Sequence, residues 1–294
     1  MENILEIRNL NKGYKGFSLD DVSFSLPRGY IMGLIGPNGA GKTTIIKLIM
    51  NIIIRDSGTI QIFGNDNLKQ EAQVKSRIGF VCDEPHFYED VKLHDIKSAY
   101  SGFYETWDDA LFLSLIEDFE LPLKKKFKTL SQGMRIKFTL ALALSHHPEL
   151  LVMDEPTTGL DPVFRHQLLD RLSHFIENGQ NSVLFSTHIT SDLETTADFV
   201  TFVHRGRVMF SETLDDIRDN WAVAKGGEEL LTDEYTPLFS GLKKSSYGVE
   251  ALTSEVKTFQ DMMPSTCVLE RASLEDIMYF VKKEGRNGSK NHTQ

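Results

Sequence analysis

A glycine-rich connection between an apolar run and a helix-forming segment limits the possible folds of this chain more than any other feature. Gly36, Pro37, Asn38, Gly39, Ala40, Gly41, Lys42, Thr43 and Thr44 satisfy G-x-x-x-x-G-K-[ST] at every fixed position. Residues 29–35 read as a buried strand, and residues 44–50 place apolar side chains at helical spacing. Glycines let backbone N–H groups curl around phosphate oxygens, and a helix N-terminus adds partial positive charge. In that setting Lys42 is the candidate for holding the β- and γ-phosphates, and the Thr43 hydroxyl for ligating Mg²⁺. A glycine-rich turn that binds nothing is the plain alternative, and the flanking strand and helix argue against it. The chain is expected to bind a nucleoside triphosphate.

A length of 294 residues accommodates one large α/β domain and a smaller appendage. The net charge of −10 argues against broad electrostatic binding to nucleic acid. The local basic stretch Lys124, Lys125, Lys126 and Lys128 reads as a solvated loop. Cys82 and Cys267 form no metal-spaced or redox pair, which fits a reducing compartment. The N-terminus lacks a signal-peptide pattern. The longest apolar run, residues 45–54, is broken by Lys47 and Asn51, so any membrane connection is expected to come through a partner.

Residues 4–8 and 16–26 alternate as antiparallel strands do, and further strands are expected at 58–63, 77–82, 150–153, 183–185 and 199–203. Residues 86–147 turn helical, with segments at 111–119 and 135–145, and helices near 162–178 and 190–197 complete a βαβ rhythm. The expected division is a nucleotide-binding domain over 1–215, an accessory region over 216–284 and a disordered tail from 285. Residues 274–281 read as a short amphipathic helix.

The strand at 150–153 ends in Asp154 and Glu155. In phosphate-loop ATPases the first carboxylate supports Mg²⁺, and an adjacent glutamate is well placed to deprotonate the attacking water. An acidic turn before Pro156 is the alternative reading in isolation. Ser131 and Gly133, in the stretch 130–134, precede a helix starting near Arg135 and either cap it or bind an anion there. His146 and His147 read as helix-dipole partners or surface residues. His86, His94, His166, His174 and His204 show no metal spacing.

In this order the motifs resemble the ATP-binding cassette family, specifically the nucleotide-binding subunit of an ABC transporter, over residues 4–215. The resemblance implies an α/β phosphate-loop NTPase: a RecA-like core, an antiparallel β subdomain and an inserted helical subdomain at about 86–147. A small C-terminal α+β region would follow. It makes residues 36–44 the Walker A loop, 150–155 Walker B with Glu155 as catalytic glutamate, and 130–134 the signature motif. Tyr14 would stack on adenine, residues 159–161 would be the D-loop contributing Asp161, and His188 would touch the γ-phosphate. Two departures stand out. Asp83 occupies the place where the family usually has glutamine and is a metal-site candidate, directly or through water, with Glu84 as the neighbouring alternative. The signature reads Ser-Gln-Gly-Met rather than Ser-Gly-Gly-Gln.

The resemblance further implies ATP and Mg²⁺ as ligands and a second ATPase subunit, identical or different, meeting this one head to tail. Ser131 and Gly133 of one subunit would then close over the ATP of the other. Integral membrane permease subunits would hold the pair at the cytoplasmic face of the membrane. The flanks at 78–90 and 130–137 are similar to bacterial ABC-2-type exporters of antimicrobial peptides and phenol-soluble modulins. Ribosome-acting relatives carry two cassettes and DNA-repair relatives carry long coiled coils, whereas this chain has one compact cassette and no expected nucleic-acid partner. An inactive cassette is at odds with intact Lys42, Asp154, Glu155 and His188.

Overall fold

The computed structural model describes residues 2–83 and 87–287, with side chains through Val281. The chain divides into two compact units, Met1–Ser211 and Glu212–Gln294. The first opens with β1 (Asn3–Tyr14) and β2 (Phe17–Pro27), then β3 (Ile31–Ile35), α1 (Lys42–Ile49), β4 (Ser57–Ile62) and β5 (Asn65–Asp66). Next come α2 (Glu71–Lys75), β6 (Ile78–Val81), α3 (Leu93–Ser101), α4 (Asp109–Asp118) and α5 (Gln132–Leu144). The series ends with β7 (Leu150–Met153), α6 (Pro162–Ile176), β8 (Ser182–Thr187), α7 (Thr190–Thr196), β9 (Phe199–His204) and β10 (Arg207–Thr213).

Every residue of β3, β7 and β8 is buried, as expected of strands covered on both faces. Among the described residues they form a sheet of order β10-β9-β3-β8-β7-β6, in which β3 pairs in parallel with both β8 and β9. The strand carrying the glycine loop therefore lies inside the sheet, and the loop leaves its carboxyl end, where ligands of open α/β sheets bind. A second sheet, β2-β1-β4-β5, is antiparallel, and β1 and β2 pair from Asn3↔Pro27 to Tyr14↔Phe17. This alternating hairpin brings Gly16 and Phe17 back toward the loop.

The helices α3–α5 are inserted between β6 and β7. Their aromatic side chains make the insert cohere: Phe112, Phe127 and Phe138 are fully buried, with centroids 6.4 Å apart for Phe112–Phe138 and for Phe127–Phe138. Burying one such ring contributes about 1.5–3 kcal/mol. Below the insert, Arg77 donates to both oxygens of Glu149 at 2.5 and 2.8 Å, and Arg28 adds a third bond at 2.9 Å. Arg77, followed by Arg28, holds the Glu149 carboxyl below its ordinary range.

His146 departs from expectation. It is only 1% exposed, its ring stacks on Tyr104 at 3.9 Å, and burial pushes its pKa down to about 4. Leu144 ends α5 two residues earlier, so the chain turns inward there, and only His147 faces solvent beside Asp108. The basic stretch stays at the surface, where Lys126 and Lys128 pair with Asp90.

The second unit contains α8 (Leu214–Asn220), β11 (Ala222–Gly226), β12 (Phe239–Ser245), β13 (Gly248–Thr253), α9 (Val256–Met262), β14 (Val268–Arg271) and α10 (Leu274–Asn287). Its strands form an antiparallel sheet of order β12-β13-β11-β14, and α10 packs on β12 and β13. Phe259 is fully buried against Tyr235 and Phe239. The backbone remains helical through Asn287, so residues 285–287 of the expected tail are helix, and residues 288–294 lie outside the described residues. Glu84, the alternative to Asp83, and His86 also lie outside them. Among the described residues no helix is long and apolar enough to cross a membrane.

Candidate active site

The carboxyl ends of β3, β7 and β8 supply the reactive side chains. The loop after β3 needs its glycines for steric reasons. A Cβ on Gly36 would lie 2.2 Å from the Val203 carbonyl oxygen, and Gly41 adopts φ 115° at the N-cap of α1. No side chain caps α1, so its first N–H groups are left for another acceptor. Lys42 is almost wholly buried. Its Nζ donates to the Gly36 carbonyl at 2.8 Å and lies 3.3 Å from Glu155 Oε1.

Beyond β7, Asp154 Oδ1 accepts from Thr43 Oγ1 at 3.2 Å and from Ser186 Oγ at 2.6 Å. Glu155 turns out of the sheet with φ 48°, a left-handed conformation uncommon for a residue bearing Cβ. Its Oε2 accepts from Thr158 Oγ1 at 3.1 Å and lies 2.8 Å from His188 Nδ1. The carboxylate is thereby held between an ammonium and an imidazole, at the mouth of the glycine loop.

These groups face a cleft of about 660 Å³ lined by Asn38, Gly39, Ala40, Gly41, Lys42, Thr43 and Thr44 of the loop. Asp83, Glu155, Thr158, His188, Gly16 and Phe17 complete the lining. Asp154 sits just behind it, through Thr43. Burial pushes the Cys82 thiol up, and the charges of Asp154 and Asp83 push it further. A buried lysine, a carboxylate and a histidine at a helix N-terminus suit phosphoryl transfer to water.

Besides Gly36, Pro37 and Asp154, four residues singled out from the sequence do not line this cleft. Tyr14 is half exposed at the β1–β2 turn, next to the lining pair Gly16 and Phe17, with Lys12 5.7 Å from its ring centroid. Ser131 caps α5, accepting from Met134 N–H at 3.3 Å, and the helix therefore starts at Gln132 rather than near Arg135. Gly133 lies against Leu160. Asp161 caps α6, accepting from Val163 and Phe164 N–H at 3.1 and 3.0 Å. Sequence reasoning missed Ser186, Thr158, Gly16 and Phe17. The signals were a hydroxyl inside a buried apolar strand two residues before His188, and a glycine–aromatic pair at the hairpin turn.

The family model described as "ABC transporter" matches residues 19–158. The bacitracin transport ATP-binding protein BcrA of Bacillus licheniformis is 33% identical over 225 residues, covering 74% of this chain and 72% of that protein. This chain belongs to the ABC transporter family of ATP-binding proteins. The lantibiotic transport ATP-binding protein SrtF of Streptococcus pyogenes is 31% identical, over 74% of this chain and 96% of that protein. A solved ATP-binding subunit of an ABC transporter superposes with a TM-score of 0.68 at 32% identity, covering 74% of this chain and 92% of the other. The protein is thus an ABC-type ATPase, with the phosphate-loop core and both β and helical subdomains of that fold.

Proposed function

We propose that this ABC ATPase binds ATP with Lys42 and the N–H groups of residues 38–44 around its phosphates, and that Glu155 is the general base of hydrolysis. The observation that carries this is the placement of the Glu155 carboxylate between Lys42 and His188, beside the glycine loop. On this reading Lys42 exchanges its contact with Glu155 for phosphate oxygens, which frees the carboxylate to accept a proton from water. The water oxygen bonds to the γ-phosphorus, the bond to the β-phosphate oxygen breaks, and ADP and phosphate result. His188 steadies Glu155 and reaches toward the γ-phosphate.

Thr43 and Asp154 offer two hard oxygen donors side by side, with Asp83 on the same cleft. Among the described residues no cluster of three or more His, Cys, Asp or Glu could hold a metal ion. That donor set fits Mg²⁺, which keeps waters and takes few protein ligands. Bound there, Mg²⁺ neutralises charge on the phosphate oxygens.

Ser131 and Gly133 do not line the cleft of their own chain, so in this reading they serve a second cassette, either another copy or a different ATPase subunit. Tyr14 stacks on adenine, and Asp161 belongs to the contact between cassettes. The pair works at the cytoplasmic face of a membrane, beneath a separate permease. BcrA and SrtF are named for bacitracin and lantibiotic transport, and the cargo proposed here is of the same kind, peptide antimicrobials moved outward. Glu155→Gln tests the chemistry. Phosphate release under saturating ATP is expected to fall by about two to four orders of magnitude while ATP binding persists. Near-normal turnover would remove Glu155 from the catalytic role.

A further inference from the structure

Ser186 is fully buried on β8 and uses its hydroxyl in both directions. Oγ donates to Asp154 Oδ1 at 2.6 Å and accepts from Glu155 N–H at 2.9 Å. A hydroxyl can do both at once, and no aliphatic side chain can replace it. The Glu155 N–H is thus bonded to a side chain at the residue whose φ of 48° turns it out of the sheet. Two positions along the chain, His188 Nδ1 lies 2.8 Å from the Glu155 carboxylate. The end of β8 therefore holds Glu155 twice, by its backbone through Ser186 and by its carboxylate through His188. The same Ser186 hydroxyl orients Asp154, whose Oδ1 also receives Thr43.

We propose that Ser186 is a positioning residue for hydrolysis, fixing the Asp154 carboxylate and the turned-out Glu155 backbone with one hydroxyl. The proposal rests on Glu155 acting as base. A buried strand serine can also do nothing more than satisfy a neighbouring N–H. Ser182, at the other end of β8, is of that kind: it is fully buried and accepts from Gly29 N–H at 2.9 Å, remote from the cleft. The two serines share strand, burial and side chain, which makes Ser182→Ala the control for Ser186→Ala.

Steady-state ATP hydrolysis and equilibrium ATP binding are measured for both variants, each alone and combined with Glu155→Gln. Ser186→Ala is expected to lower kcat by about 10- to 100-fold, the usual range for residues that orient a reacting group, with a smaller change in ATP affinity. Ser182→Ala keeps kcat near wild type. In the Glu155→Gln background the part of the Ser186→Ala effect that acts through Glu155 is lost, so the two effects combine to less than their product. Equal kcat for the Ser186→Ala and Ser182→Ala variants would overturn the proposal, as would effects of Ser186→Ala and Glu155→Gln that multiply independently. Should Ser186→Ala fail to fold, Ser186→Cys, nearly isosteric but a weak hydrogen-bonding group, decides the matter. Reduced kcat supports the proposal and wild-type kcat refutes it. Wild-type turnover by Glu155→Gln alone would instead strike the assignment of the base.

Discussion

The helices α1 and α5 both begin at sequences suited to anions, yet the structure treats the two beginnings differently. At α1 the N-cap is Gly41 with φ 115°, no side chain caps the helix, and Lys42 is buried behind the loop in a lined cleft. At α5 the Ser131 hydroxyl already accepts Met134 N–H, and the next residues lie against Gly159 and Leu160. The first terminus keeps N–H groups in reserve for a ligand of its own chain. The second is satisfied locally and lies off that chain's cleft. The same helix-end chemistry is therefore left open in one place and closed by a side chain in the other.

The loop of α1 tolerates no side chain at its tightest glycines. Gly36→Ala would set a Cβ against the Val203 carbonyl, so β9 or the loop must move. The expected cost is about 1–3 kcal/mol or more, with loss of ATP binding, read by thermal unfolding and nucleotide titration. Wild-type behaviour would show that the loop is looser than the close approach of the Val203 carbonyl to Gly36 implies.

The far end of α5 supplies a pH test. Burial keeps His146 neutral down to about pH 4, whereas the unfolded chain takes up this proton near 6.5. Stability is therefore expected to fall as pH drops from about 6.5 to 4, with a slope of up to about 1.4 kcal/mol per pH unit from this residue. His146→Phe, which retains a ring against Tyr104, should flatten that part of the curve in denaturant titrations at several pH values. An unchanged curve would mean that His146 is not the group responsible.

Smaller effects are expected at the start of α5. Ser131→Ala removes a cap and should cost about 1 kcal/mol in the unfolding of the isolated chain. Gly133→Ala should be neutral or stabilising by about 0.5–1 kcal/mol there, since its Cβ would meet only Leu160 Cδ2 at 3.6 Å, an ordinary contact in a helix. Any loss of function in that variant should appear only when two cassettes close. A strongly destabilised Gly133→Ala chain would erase the contrast with Gly36.

The contrast was partly legible in the sequence. Glycine spacing, a buried apolar strand and a following helix are local signals, so β3, the loop and α1 could be placed, as could Asp154 and Glu155 after the apolar run of β7. The double use of Ser186 could not be read, because it depends on β7 and β8 being parallel neighbours with Met153 opposite Phe185. The inward turn of His146 likewise depends on Tyr104, remote in sequence, offering its ring. The second unit was the hardest to read. β14 leaves Val268, Glu270 and Arg271 exposed and so lacks strand alternation, and β12 has Gly241 where Phe280 presses close. Its sheet follows from packing rather than from periodicity.

Equilibrium titration of a fluorescent ATP analogue into the monomeric chain compares the two helix beginnings most directly. Lys42→Ala is expected to abolish measurable binding, while Ser131→Ala binds like wild type, because only the α1 terminus faces the chain's own cleft. Equal weakening by the two substitutions would contradict this division of labour.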